Sequence, residues 1–383
     1  MSTESEIYSV NDHQPGESLS TDVQCEEGVR FHYTVGSGSS RKAIGTAALA
    51  ASDPTALDDA DLDALLTAGV DVDSIPHPEY AMLSYARRDN RPFEGPKWFI
   101  DSGGYSVQKK FHEYPTSIDA YVQYLLEHEE EIELYALRDW ACEPSLLRDA
   151  GRSVRTHQEW TIRDHVYCLE AAEDAGLNAD PVAVIQGHDL EEYIWAFEYL
   201  REHGLASSTL GVGSILRPHK TSEVRTIIQG LREAIPGKYD LHGFGISKTV
   251  LEDLATYRAL DSADTTSWHA KAVHARVTDP EWADRVPAWV RTLQAYIGYH
   301  NQLADLAAEH DVKSTGKQEP PRVVTLGSFT TETTRHHGVE DPLIECICGN
   351  LLDPNRDLDD NSMGCRFCEQ RLLELWDRKF QED

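Results

Sequence analysis

The sequence has no apolar run approaching the ~20 residues needed to cross a bilayer. Its first residues, Met1-Ser2-Thr3-Glu4-Ser5-Glu6, lack the basic and apolar regions of a secretory leader. Methionine is rare at 3 residues, and lysine is scarce, 11 residues against 24 Arg. Cysteine is sparse at 7 in 383, and four of these are gathered near one end. That grouping speaks for a metal rather than a disulfide framework. No low-complexity repeat is present. Composition excludes collagen, coiled-coil and wholly disordered chains. What remains is 40% apolar residues with 8 Trp, enough for one large domain or two ordinary ones. A soluble, cytoplasmic protein is expected.

Positive charge is the chief deficit. Lys and Arg number 35 against 66 Asp and Glu, a formal charge of −31. Such acidity ordinarily opposes a polyanionic partner. However, the acids are scattered through the whole chain and Arg outnumbers Lys, a pattern that resembles a halophilic protein of a high-salt cytoplasm. At 1 M salt the Debye length is about 3 Å, so net charge hardly acts at a distance. A nucleic-acid partner therefore stays admissible, held by short-range contacts.

Residues 1–27 are polar without sustained periodicity and read as a disordered tail. Asp58–Gly69 has the spacing of a short amphipathic helix, and the mixed stretch from Gly69 to Tyr85 leads into the core. A repeating pattern follows. Short apolar runs at 98–100, 134–137, 182–185, 209–213, 241–245 and 259–260 each lead to a polar or glycine-rich terminus. Helical spacing fills the intervals at 117–128, 156–175, 190–203 and 223–234. Alternating strands and helices imply parallel strands with crossovers. The unit lengths suit an α/β fold of either the (β/α)8 TIM-barrel or the open doubly wound kind. Both place their sites at the strand termini. The barrel-like domain is expected over 28–311, including a long helix at 281–310 with Trp289, Leu293, Tyr296 and Ile297 on its core face. A linker is expected at 312–341 and a metal-binding subdomain with a closing helix at 342–383.

That last segment carries Cys346-Ile347-Cys348 and, 16 residues on, Cys365-Arg366-Phe367-Cys368. Two close thiolate pairs fit a tetrahedral Zn2+ site, with each sulfur about 2.3 Å from the metal. With all four positions taken by protein, such a zinc is structural. An iron–sulfur cluster and four unrelated thiols are the alternatives.

The stretch Ile100-Asp101-Ser102-Gly103-Gly104-Tyr105 places a carboxylate at a strand terminus. Small residues that allow close backbone approach follow it, then an aromatic face. The arrangement can hold a flat ligand, or it can be a plain turn with an Asx contact. It closely resembles the D-S-G-G-F/Y motif of the tRNA-guanine transglycosylase superfamily. Further segments match that superfamily in order. Leu137-Arg138-Asp139-Trp140-Ala141-Cys142 is similar to its F-D-E-C segment, and Val184-Ile185-Gln186-Gly187 to its V-Q-G segment. Leu210-Gly211-Val212-Gly213-Ser214 resembles G-G-L-A-V-G-E, and His242-Gly243-Phe244-Gly245-Ile246 resembles G-x-G-x-P. Leu260-Asp261-Ser262-Ala263-Asp264 resembles I-D-x-F-D. A Cys-rich zinc site follows the barrel in both.

The resemblance implies a TIM barrel with a zinc module. It also implies an enzyme, a pentosyltransferase that exchanges guanine in nucleic acid for a 7-deazaguanine without breaking the backbone. Asp264 matches the nucleophile that forms a covalent glycosyl–enzyme intermediate, with Asp261 as the competing position. Asp101 matches the acid/base. The logic parallels retaining glycosidases, whose paired carboxyls lie about 5 Å apart. Asp139 and Gln186 match residues that read the base edge. Ser102, Gly103, Gly104, Tyr105, Gly187, Gly211 and Gly213 match positions lining the base. Asp139 could instead cap a helix or pair with Arg138 or Arg163, and Gln186 could be a buried strand-end amide.

Departures from the superfamily point to a branch. Ser214 stands where the tRNA enzymes usually carry Glu, the zinc pattern differs, and no tRNA-binding extension fits the length. These features resemble the divergent paralogues that insert 7-deazaguanines into DNA. DNA is therefore the favoured polymer, tRNA the alternative, and oligomers are compatible. In either polymer the target base must leave its stack. Two further classes are a non-catalytic zinc-containing nucleic-acid-binding protein and a metal-dependent barrel hydrolase. The second would want a His-x-His pair before Asp101, where none stands.

Overall fold

The computed structural model describes residues 28–215 and 219–315, with two short strands at Ile344–Glu345 and Leu351–Leu352 that pair antiparallel. The first strands and helices are β1 (Arg30–Thr34), α1 (Gly38–Ser52), α2 (Asp59–Thr67), β2 (Tyr80–Ser84) and β3 (Lys97–Asp101). Next come α3 (Gly104–Phe111), α4 (Ile118–Glu127), β4 (Ile132–Ala136), α5 (Pro144–Ala150), α6 (Val154–Ala175) and β5 (Asp180–Ile185). Then follow α7 (Leu190–Glu202), β6 (Thr209–Val212), α8 (Thr221–Ala234), β7 (Asp240–Gly243), α9 (Lys248–Leu251), α10 (Leu254–Ala259) and β8 (Ser262–Thr265). The described chain closes with α11 (Ala270–Thr278), α12 (Pro280–Arg285) and α13 (Ala288–Thr315).

β1 to β8 form a closed barrel in sequence order, every neighbouring pair parallel. The architecture is a (β/α)8 TIM barrel, as the alternation of apolar runs and helical spacing allows and the resemblance implies. Helices start where a side chain can satisfy their first free N–H groups. Ser117 caps α4, Ser153 caps α6, and Asp189 with Glu192 forms a capping box on α7.

Alternation along each strand sorts the side chains into two populations. One points out to the helices. The other fills the barrel with Met82, Phe99, Leu134, Ala136, Val182 and Val184, a cluster separate from the outer core. His32 and His242 share this interior, with ring centres 5.4 Å apart, and Phe99 lies 4.8 Å from His242. Two residues beyond His32, Met82 and Phe99 on their strands come Thr34, Ser84 and Asp101, and Asp264 stands in β8 as the register partner of His32. The pleat thus carries polar groups to the C-terminal mouth and leaves apolar ones beneath.

The helical stretch expected at 281–310 is divided. Pro287 has no N–H to donate and α12 stops at Arg285, so a new helix, α13, begins at Ala288 and runs past 310 to Thr315. Of the expected core face, Leu293 and Tyr296 are fully buried, Trp289 and Ile297 are partly buried against the core, and Val290, which the reading omitted, is fully buried. Tyr296 Oη donates to the Pro76 carbonyl at 3.0 Å, and Gln294 Nε2 donates to that of Ala68 at 3.1 Å. Among the described residues no helix is long and apolar enough to cross a membrane. The linker expected from 312 begins later, since residues 312–315 belong to α13. Residues 1–27, Cys346, Cys348, Cys365 and Cys368, and the rest of the linker and subdomain lie outside the described residues apart from the strands named above.

Candidate active site

Asp264, in β8, is 6% exposed. Its Oδ2 accepts from Thr34 Oγ1 at 2.9 Å and its Oδ1 from the Gly245 backbone N–H at 2.8 Å. His242 Nε2 lies 3.5 Å from Oδ1, while His242 Nδ1 is 2.9 Å from Ser262 Oγ. Donors from β1 and the loop after β7 therefore orient this carboxyl, and the His242 ring of β7 lies beside it without a hydrogen bond to it. Asp261, the competing position, precedes β8. It accepts from the Leu241 N–H at 2.7 Å and pairs with Arg232 at 3.5 Å, at the N-terminal end of the barrel. Three residues of strand separate it from the mouth.

Asp101 ends β3 beside Ser84, its register partner on β2. Burial lifts its carboxyl to about 6 and the nearby negative charge of Asp264 adds to this, against the pull of Ser84 and the Gly103 N–H. The chain turns immediately after. Gly103 has φ +82°, and a Cβ there would come within 2.9 Å of Ala86, so glycine is required on both counts. Gly104 and Tyr105 then open α3.

Asp139 follows β4 and is 8% exposed. Ser102 Oγ donates to its Oδ1 at 2.6 Å, and Gln186 Nε2 donates to its Oδ2 at 2.6 Å. Its carbonyl accepts from Gln108 Nε2 at 3.0 Å and Tyr114 Oη at 2.6 Å. Burial raises its carboxyl to about 7 and the charge of Asp101 adds to this, while Ser102 and Gln186 oppose it. Arg138 and Arg163 pair with Asp164 instead, at 3.4 and 2.6 Å. With Nε2 on Asp139, Gln186 Oε1 is buried without a hydrogen-bond partner. A side chain at Gly213 would meet Gln186 Nε2 at 2.3 Å, so only glycine lets the amide lie there.

Asp101 thus stands between two other expected carboxyls, near enough to Asp264 to feel its charge and near enough to Asp139 to impose its own. Gly211 lies in β6 under the Phe244 ring, and Gly187 follows Gln186 against Tyr193 of α7. Sequence reasoning missed Thr34, Ser84, Gln108 and Tyr114, none of which sits in a recognisable motif. It also missed the link from Ser214 to Glu143. Ser214 Oγ donates to Glu143 Oε2 at 2.9 Å and accepts the Cys142 N–H at 2.7 Å, at a φ of +52°. A carboxylate thus stands beside Ser214, supplied by the β4–α5 loop. Among the described residues no three His, Cys, Asp or Glu side chains group as metal ligands.

A closed parallel barrel with interacting carboxylates at the C-terminal ends of its strands defines a TIM-barrel protein built like an enzyme. The chain belongs to the DeoxyPurine in DNA protein A (DpdA) family, whose match covers residues 61–281. That span includes Asp101, Asp139, Gln186 and Asp264. Membership gives the protein a DNA-modifying, transglycosylase-like role. Comparison with curated proteins gave no match.

Proposed function

We propose that this protein exchanges guanine in DNA for a 7-deazaguanine by double displacement, with Asp264 as nucleophile and Asp101 as acid/base. The observation that carries the reading is the unequal environment of the two carboxyls. Asp264 is held by Thr34 and Gly245, donors that fix the direction in which its carboxyl points. Asp101 is lifted to about 6, where it can carry a proton or give it up near neutral pH.

In the forward step an Asp264 oxygen attacks C1′ of the extruded deoxyguanosine. The C1′–N9 bond breaks, and the electron pair goes to the base, which takes the Asp101 proton. The incoming base loses its N9 proton to Asp101 and attacks the same carbon, releasing Asp264. Two inversions retain configuration. Ionised Asp139 accepts from the N1–H and amino group of the base, and Gln186 presents its amide to the same edge. The backbone of Ser102, Gly103, Gly104, Gly211 and Gly213 shapes the slot, and Tyr105 offers it an aromatic face.

Cys346, Cys348, Cys365 and Cys368 would hold a structural zinc that fixes the C-terminal segment and takes no part in the exchange.

The test supplies labelled guanine with duplex DNA and, separately, tRNA, in concentrated salt. Label entering DNA and absent with Asp264→Ala is the expected result. Label entering tRNA alone would move the assignment to that polymer. Incorporation into neither, by folded protein, would leave a binding protein without exchange activity.

A further inference from the structure

In a chain with 66 acids and 35 bases, one short segment is rich in arginine, of which Arg163 is spent on an ion pair with Asp164. Residues 148–163 carry Arg148, Arg152, Arg155 and Arg163 against only Asp149 and Glu159. The segment abuts the base-reading residues. Gln158 Nε2 donates to the Gln186 carbonyl at 2.8 Å, and Thr161 Oγ1 accepts the Trp140 N–H at 2.8 Å.

The cations are fixed by aromatic rings. The Arg152 guanidinium lies 4.4 Å from the Trp160 ring centre and 5.4 Å from that of Trp140. Its Nη1 donates to the His112 carbonyl at 2.9 Å, tying it to the end of α3. Arg155 lies 3.3 Å over Trp195 of α7. Lys109 lies 5.6 Å over Tyr105, at the opening of α3. Glu113 faces Arg152, and Glu159 and Glu192 face Arg155, but among the described residues none of them closes to an ion pair with either guanidinium. Cations stacked on rings lose little freedom on meeting a ligand, and a guanidinium so held keeps the N–H donors that its own contacts leave over for phosphate. Such contacts act at short range and survive screening that abolishes long-range attraction.

We propose that Lys109, Arg152 and Arg155 form a phosphate-binding strip that grips the DNA backbone flanking the extruded nucleotide. The proposal rests on the DNA-directed reading above. A strand whose base enters the mouth must cross its rim, and this strip leads from Tyr105 outward over the starts of α6 and α7.

The test measures binding of the full chain to labelled duplex DNA across a salt series. The variants are Arg152→Gln/Arg155→Gln and a control, Arg201→Gln/Lys238→Gln, which removes equal charge from the opposite end of the barrel. The expected result for the first is affinity about tenfold weaker, with the slope of log K against log salt shallower by roughly 2, one per lost phosphate contact. Binding of free guanine and the control's DNA affinity stay as in the parent. DNA binding by the parent with an unchanged slope in Arg152→Gln/Arg155→Gln overturns the strip and leaves the DNA reading standing. A parent that binds tRNA and no DNA overturns both.

Discussion

Gln186 Nε2 and Asp139 Oδ2 meet at 2.6 Å, joining the end of β5 to the loop after β4. The bond favours the ionised form of Asp139, which burial and Asp101 oppose. Hydrogen bonds to charged groups contribute about 1.5–3 kcal/mol. Gln186→Leu is therefore expected to weaken binding of the free base about 10- to 100-fold, read by calorimetry. Gly213→Ala should do the same in smaller measure, because its Cβ displaces the amide. Unchanged affinity in both would remove Gln186 from base recognition.

The like charge of Asp101 adds to the proton affinity that burial gives Asp139. Base binding needs Asp139 ionised, so affinity should improve as pH rises through about 7. Asp101→Asn removes one negative neighbour and lowers the Asp139 pKa. The ionised form then persists to lower pH, and the binding profile shifts to the acid side by on the order of one unit. A profile shifted upward or left in place would contradict the coupling.

Much of this site was legible because its chemistry sits at strand ends. Asp101, Gln186 and Gly213 each follow an apolar run that could only be a strand, and the order of motifs did the rest. β1 was not legible. Arg30–Thr34 reads R-F-H-Y-T, and its two inward residues, His32 and Thr34, are polar because one packs on His242 and the other binds Asp264. Neither partner is near in sequence. Asp261 and Asp264 could be told apart only by register, which pairs Asp264 with His32 and leaves Asp261 before the strand. Tyr114 and Gln108 were invisible for the same reason as Thr34, since their function is a contact made across loops. The break at Pro287 was readable in principle, but the apolar spacing continues across it.

Thr34, outside every motif, donates to the proposed nucleophile. Thr34→Val keeps the shape and removes the donor to Asp264 Oδ2. The expected outcome is a slowing of guanine release in a single turnover by about 10- to 100-fold, with DNA affinity unchanged. A parallel loss of DNA affinity would show that the barrel rim had been disturbed.

The proposed four-thiolate zinc has its own check. Elemental analysis of the purified chain should find about one zinc per molecule, and Cys365→Ser should lose most of it with reduced thermal stability. Full zinc content in that variant would rule out this ligand set.

The central claim is a covalent bond between Asp264 and the sugar. Incubation with duplex DNA without an incoming base, followed by denaturation and mass analysis of the digested protein, tests it most directly. The account predicts a DNA adduct on the peptide containing Asp264, absent in Asp264→Asn. An adduct on another residue, or base exchange that survives Asp264→Ala, would contradict it.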